Sequence, residues 1–183
     1  MMRNCLLLFI LVIALHSCTI NSNSYESLSQ AMKDRVCVPT VPLDSLKKDG
    51  MVYKVSDVTL REFLRSHEST VVHVYMIWCK SENCVHPQVA IDRIKTAGYT
   101  PFVISGDYEC VKVMDEISTP LYVIDFDYYN TKRYDTGIKK MFMSLGCTED
   151  NWWYDWFLFK KDKLVGCYRT MEELQKAQQP WRQ

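Results

Sequence analysis

The chain of 183 residues is 48% hydrophobic and 24% charged, and its 22 Lys and Arg balance 22 Asp and Glu. A neutral balance lacks the electrostatic footprint of a nucleic-acid binder, and so apolar a composition is not that of a disordered tail. The length suits one compact domain with a real core and leaves two full domains cramped.

The first segment reads as an address rather than as structure. Arg3 supplies a positive start, and Cys5 to Leu15 is an apolar run of eleven residues, too short to span a bilayer and about right for a secretory signal core. Leu15-His16-Ser17-Cys18 follows. It resembles the lipobox of bacterial lipoproteins, in which an aliphatic residue at minus three and a small one at minus one precede a cysteine that is acylated. His16 is an unusual occupant of the middle position. The resemblance implies a signal peptide over residues 1–17 and a lipid anchor on Cys18, with the protein held at a membrane of the cell envelope and facing the periplasm or the outside. The alternative is a plain signal peptide cut nearby, with Cys18 an ordinary thiol. Thr19 to Ser24 reads as a flexible tether. Residues 18–48 are then tether and lead-in, and residues 49–183 the domain.

Export changes how the cysteines read. Of the eight, Cys5 leaves with the signal and Cys18 is the anchor, which leaves Cys37, Cys79, Cys84, Cys110, Cys147 and Cys167. Outside the cytosol a disulfide persists, and six cysteines allow about 15 complete pairings, among which sequence does not choose.

Residues 25–48 show no clean period and carry Pro39 and Pro42, so they read as a lead-in packed on the domain. After Asp49-Gly50, Met51 to Val55 is a strand, and Leu60, Phe63 and Leu64 share one face of a helix. Thr70 to Ile77 is β-branched and nearly all apolar, as a strand covered on both faces should be. Trp78-Cys79 leads into a helix with Ala90, Ile94 and Ala97 on its apolar side, ended by Gly98. Pro101 to Ser105 is a strand. Cys110, Val113, Met114 and Ile117 have the spacing of an amphipathic helix with Cys110 on its buried stripe. Leu121 to Phe126 is a strand. Ile138, Met141, Phe142 and Leu145 repeat the helical spacing, with Gly146 placed as a C-terminal cap. Trp156 to Phe159 and Leu164 to Tyr168 flank a charged turn as a hairpin, and Thr170 with Glu173 has capping-box spacing for a last helix. Strands alternating with helices imply an α/β fold, a mixed sheet with helices on both faces.

The chemistry concentrates in Val71 to Pro87, VVHVYMIWCKSENCVHP. A buried strand that delivers Cys79 into the first turn of a helix makes a reactive thiol, because free N–H groups and the helix dipole stabilise thiolate. Here the chain resembles the thioredoxin-like superfamily over roughly residues 50 to 178, and specifically its exported, membrane-tethered TlpA-type branch. That resemblance implies a three-layer sandwich and thiol–disulfide exchange with protein thiols or disulfides in the envelope, with no cofactor and no nucleic-acid partner. Family members carry Trp-Cys-x-x-Cys and a later proline. Trp78, Cys79 and Pro87 align without a gap, Glu82 falls where the second cysteine belongs, and Cys84 lies two positions further on. In a regular helix five residues advance about 7.5 Å and rotate roughly 140° away, whereas a disulfide wants Cα atoms about 4.4–6.8 Å apart. A Cys79–Cys84 bridge therefore requires the segment between them to be looped. The family's cis-proline maps either to Pro120, ahead of Leu121 to Phe126, or to the position just before Trp156, which holds no proline. The substrate groove expected from these alignments is Trp78 with Pro120.

Two further readings stand beside exchange through catalytic Cys79 and Cys84. One is a redox-inactive binding lipoprotein that uses the groove beside Trp78. The other is a metal-handling module drawing on Cys79, Glu82, Cys84 and His86, whose thiolates and imidazole suit Cu(I) or Zn; no metal is expected in the first two. Cys110 reads as core, Cys147 and Cys167 lie on either side of the hairpin where a bridge is conceivable but no spacing rule supports one, and the aromatics from Trp152 to Trp156 read as packing.

Overall fold

The computed structural model describes residues 22–79 and 84–178. Seven strands form one mixed sheet: β1 (Val36–Cys37), β2 (Val52–Val55), β3 (Ser69–Tyr75), β4 (Thr100–Ser105), β5 (Leu121–Ile124), β6 (Trp156–Lys160) and β7 (Lys163–Tyr168), in the order β1-β2-β5-β4-β3-β6-β7. The first five in that order are parallel, and β6 runs antiparallel to both of its neighbours, β3 and β7. Among the described residues, five α-helices accompany them: α1 (Gln30–Lys33), α2 (Asp57–Ser66), α3 (Pro87–Thr96), α4 (Tyr134–Ser144) and α5 (Met171–Ala177). The α/β expectation with a mixed sheet and a closing hairpin and helix is met.

The crossover β2-α2-β3 runs one way along the sheet and β3-α3-β4 runs back. Right-handed crossovers in opposite directions put their helices on opposite faces. Polar contacts group the remaining helices. Arg61 and Asp57 of α2 reach the Ser144 carbonyl and hydroxyl of α4, and Arg93 of α3 lies 3.5 Å from Glu172 of α5. The sheet is thus sandwiched between α2 with α4 and α3 with α5.

Local chemistry sets the ends. Ser56 caps α2 in a reciprocal box with Thr59, whose hydroxyl accepts from Ser56 N at 3.0 Å. Gly146, at φ 108°, ends α4: its N–H donates to Met143 O at 3.2 Å and the next N–H, of Cys147, to Phe142 O at 2.9 Å, a Schellman motif. Thr170 caps α5 through Glu173 N at 3.2 Å.

Two expectations change. The amphipathic helix through Cys110 is instead a pair of 3-10 turns, Tyr108–Lys112 and Met114–Glu116. The buried side chains there include Tyr108, Val111, Met114 and Ile117. They recur every third residue, the period of a 3-10 helix rather than 3.6. The lead-in is also more than a cover. Leu28 and Leu43 are in the core and Val36–Cys37 forms the edge strand.

The expected tether is shorter than Thr19 to Ser24. Asn23 N donates to Lys132 O at 2.8 Å, Tyr108 N donates to Asn23 O at 3.1 Å, and Ser24 Oγ donates to the Asp107 carboxyl at 2.9 Å. Ser22 bridges Arg133. From Ser22 on the chain is therefore fastened to the segments that follow β4 and β5.

Candidate functional site

Strand β3 is the point where the crossovers reverse, and α/β sheets place their sites outside the carboxyl ends of strands at such a point. Beyond Tyr75 the chain turns, with Cys79 N donating to Met76 O at 3.0 Å. Cys79 and Cys84 are joined by a disulfide with a Cα separation of 5.8 Å. Both are partly exposed. Their Cα separation lies within the range of about 4.4–6.8 Å that a disulfide needs. Trp78 beside the bridge is 49% exposed, its ring 5.4 Å from that of Tyr134.

The helix, however, does not start at Cys79. It starts at Pro87, with His86 as N-cap in an extended conformation (ψ 138°). Proline favours the first helical position and forbids helical geometry to the residue before it. The expectation that Cys79 opens the helix is corrected accordingly: the dipole and free N–H groups of α3 belong to His86 and its successors. His86 Nδ1 accepts from Gln88 N at 3.3 Å, and its Nε2 lies 3.3 Å from the Glu116 carboxylate. It is an N-cap with a carboxylate beside its outer ring nitrogen. Lys80 and Glu82 lie outside the described residues, as do Cys18 and the expected signal peptide.

Under the bridge is a hollow of about 140 Å³ lined by Cys79, Cys84, Val85 and Met76 together with His73 and Asp155. His73 is only 2% exposed, stacked 4.0 Å from Trp156. Its Nδ1 lies 3.1 Å from Asp155 O. A carbonyl only accepts, so Nδ1 carries the proton and donates. Nε2 has no hydrogen bond of ordinary geometry and faces the backbone of Val85. Burial pulls the ring down to about 4, against the two backbone contacts that favour the charged form. The ring is neutral at pH 7. Burial likewise pushes the Asp155 carboxyl up to about 6.

His73 and Asp155 were not singled out from the sequence. The signal available was a histidine inside an otherwise apolar buried strand, six residues ahead of Cys79. Pro120 precedes β5, which is separated from β3 by β4. It is not among the residues that line the hollow, and among the described residues no peptide bond is cis. Asp155 is the residue that immediately precedes β6 and meets the hollow.

Of the other cysteines, Cys110 is fully buried and its thiol is pushed up to about 12 by desolvation. Cys37 is partly buried in the edge strand, and burial raises it too. Cys147 and Cys167 lie with their sulfurs 3.7 Å apart. Among the described residues no three His, Cys, Asp or Glu side chains are grouped to hold a metal, and no helix is long and apolar enough to cross a membrane.

The chain matches no protein family, no curated protein and no solved structure. Any functional reading therefore stands on the residues and geometry above.

Proposed function

We propose that the chain is a thioredoxin-like lipoprotein of the cell envelope that performs thiol–disulfide exchange through Cys79 and Cys84. One observation carries this reading: a partly exposed Cys79–Cys84 disulfide at the carboxyl end of the switch-point strand β3, above a hollow holding two buried titratable side chains. The parallel strands, the antiparallel hairpin and the final helix support the fold assignment.

In the reducing direction, the Cys79 thiolate attacks a substrate disulfide, forming a mixed disulfide and releasing one substrate thiol. Cys84 then attacks Cys79 Sγ, expelling the second thiol and closing the bridge. The two electrons pass to the substrate and the two cysteine protons to its thiols. The reverse sequence oxidises a substrate dithiol. His73 and Asp155 share the hollow with both sulfurs, and Asp155 titrates close enough to neutrality to exchange a proton with them.

On this reading Cys18 bears the lipid and stands four positions ahead of Ser22, the first described residue fastened to the fold. Four extended residues reach at most about 14 Å. Ser22 to Ser24 are held by residues following the carboxyl ends of β4 and β5, the same end of the parallel sheet from which Cys79 leaves β3. Exchange would then take place close to the membrane, on protein thiols held or delivered there.

The second reading, a binding lipoprotein without redox turnover, draws on a specific finding. Cys79 lies outside the first turn of α3, which withholds the usual stabilisation of its thiolate, while Trp78 offers a half-exposed ring at the rim. Iodoacetamide labelling across pH, with and without a dithiol reductant, separates the two. Exchange requires that Cys79 and Cys84 label only after reduction and that the more reactive one shows an apparent pKa well below about 8.5. Labelling only at the pH of an ordinary thiol sinks the exchange reading and leaves the binding one.

A further inference from the structure

Cys147 and Cys167 sit far along the sheet order from the edge strand β1 and are held by two rigid elements. Cys147 is the residue after Gly146, and its N–H closes the Schellman motif of α4 on Phe142 O. Cys167 is in β7, directly opposite Phe157 of β6. The Phe157 ring stacks 4.0 Å from that of Phe142, so helix end and strand are packed on one another through these aromatics. A side chain built on Gly146 would meet Leu164 of β7 at 3.6 Å, which shows how closely β7 passes the turn. The two sulfurs are 3.7 Å apart without being bonded.

We propose that Cys147 and Cys167 are a second redox site, a dithiol that closes to an intramolecular disulfide by exchange with a small-molecule disulfide of the glutathione type. The pairing follows from placement. Cys37 lies on β1, at the opposite end of the strand order from β7, and Cys110 is sealed in the core. Bringing 3.7 Å to a bond of about 2.05 Å asks the two sulfurs to close by about 1.7 Å. The roles follow from exposure. Cys147 is buried, whereas Cys167 is partly exposed and within reach of an external disulfide. Cys167 thiolate therefore attacks the external disulfide, forming a mixed disulfide and releasing one thiol. Cys147 Sγ then attacks Cys167 Sγ, the mixed disulfide breaks and the second thiol leaves. Two electrons go to the external disulfide, and the two cysteine protons end on the released thiols. The bond would staple the end of α4 to the outermost strand of the hairpin. It does not depend on turnover at Cys79 and Cys84.

The test uses the full chain carrying Cys79→Ser and Cys84→Ser, reduced, freed of reductant and incubated with oxidised glutathione, then alkylated and digested. The expected product is a peptide pair cross-linked between Cys147 and Cys167, with Cys37 and Cys110 remaining free of glutathione and of cross-links. The same pair is expected from the wild-type chain, which covers any folding defect of the variant. Oxidation should raise Tm by about 5–10 °C, as a bridge closing a loop of this size does, and adding Cys167→Ser should abolish the rise. Three results overturn the proposal: both cysteines alkylated as fully after oxidant as before, glutathione retained on Cys167 without resolution, or a cross-link from either residue to Cys37.

Discussion

His73 is a buried imidazole at the floor of a cavity whose roof is a disulfide, and its physical chemistry is testable without knowing the substrate. Its folded pKa, about 4, lies below its ordinary 6.5. Between those values the unfolded chain binds a proton that the folded one does not, so its contribution is present above about pH 6.5 and lost as pH falls towards 4. Asp155 behaves oppositely. Raised from 3.8 to about 6, it disfavours the fold as pH climbs through that window. The two slopes oppose one another in the native protein. His73→Phe keeps a ring against Trp156 and removes one slope, leaving that of Asp155 unopposed, so the stability difference between pH 7 and pH 4 in urea unfolding should move by about 3 kcal/mol against pH 7. An unchanged pH profile would mean that the imidazole titrates freely and is not sealed under the bridge. The sequence displayed this residue openly, but periodicity ranks positions by hydropathy, and one histidine among valines is averaged into an apolar strand. The pair Cys79 and Cys84 was legible because a bridge has a distance requirement that spacing can be tested against. Asp155 was not, because what makes it unusual is a hollow assembled from β3, the loop after it and the start of β6.

At the scale of elements, strands and caps were the most readable features, since Thr170 and Gly146 act through a few neighbouring backbone groups. The misread elements are those where two local rules competed. Residues 108 to 117 offer a set spaced by three beside the set spaced by three and four, and packing under β4 and β5 selects the former. The start of α3 was placed at Cys79 although Pro87 and His86 carry the stronger start signal. Gly137 shows a similar competition with an unambiguous outcome. In the interior of α4 alanine is favoured over glycine by about 1 kcal/mol, but a Cβ at this position would collide with the buried Phe126 ring. Overpacking of that kind costs about 1–3 kcal/mol, and the ring is fixed by burial. Gly137→Ala should therefore lower the urea midpoint, with a net loss of up to about 2 kcal/mol in stability. A rise would show that Phe126 has room to turn aside.

At the scale of the whole molecule, the boundary at Asp49 follows the sequence signal of a turn and a shift in composition, yet the fold begins earlier. β1 pairs in parallel with β2 through Val36↔Val52 and Cys37↔Tyr53, and Leu28 and Leu43 lie in the same core as the sheet. Such pairings join segments distant in sequence and leave no periodic trace in either of them. Removing residues 1–48 would strip two buried leucines, each worth about 1.5–3 kcal/mol, and would bare β2 as a new edge with unpaired backbone groups. Removing residues 1–21 would cut ahead of every contact that fastens Ser22, Asn23 and Ser24. A chain starting at Ser22 is therefore expected to unfold cooperatively, at a urea midpoint well above that of a chain starting at Asp49. The shorter chain should lose several kcal/mol and associate through its exposed edge, visible as concentration-dependent light scattering. Equal midpoints would mean that the lead-in merely rests on the sheet and contributes nothing to the core.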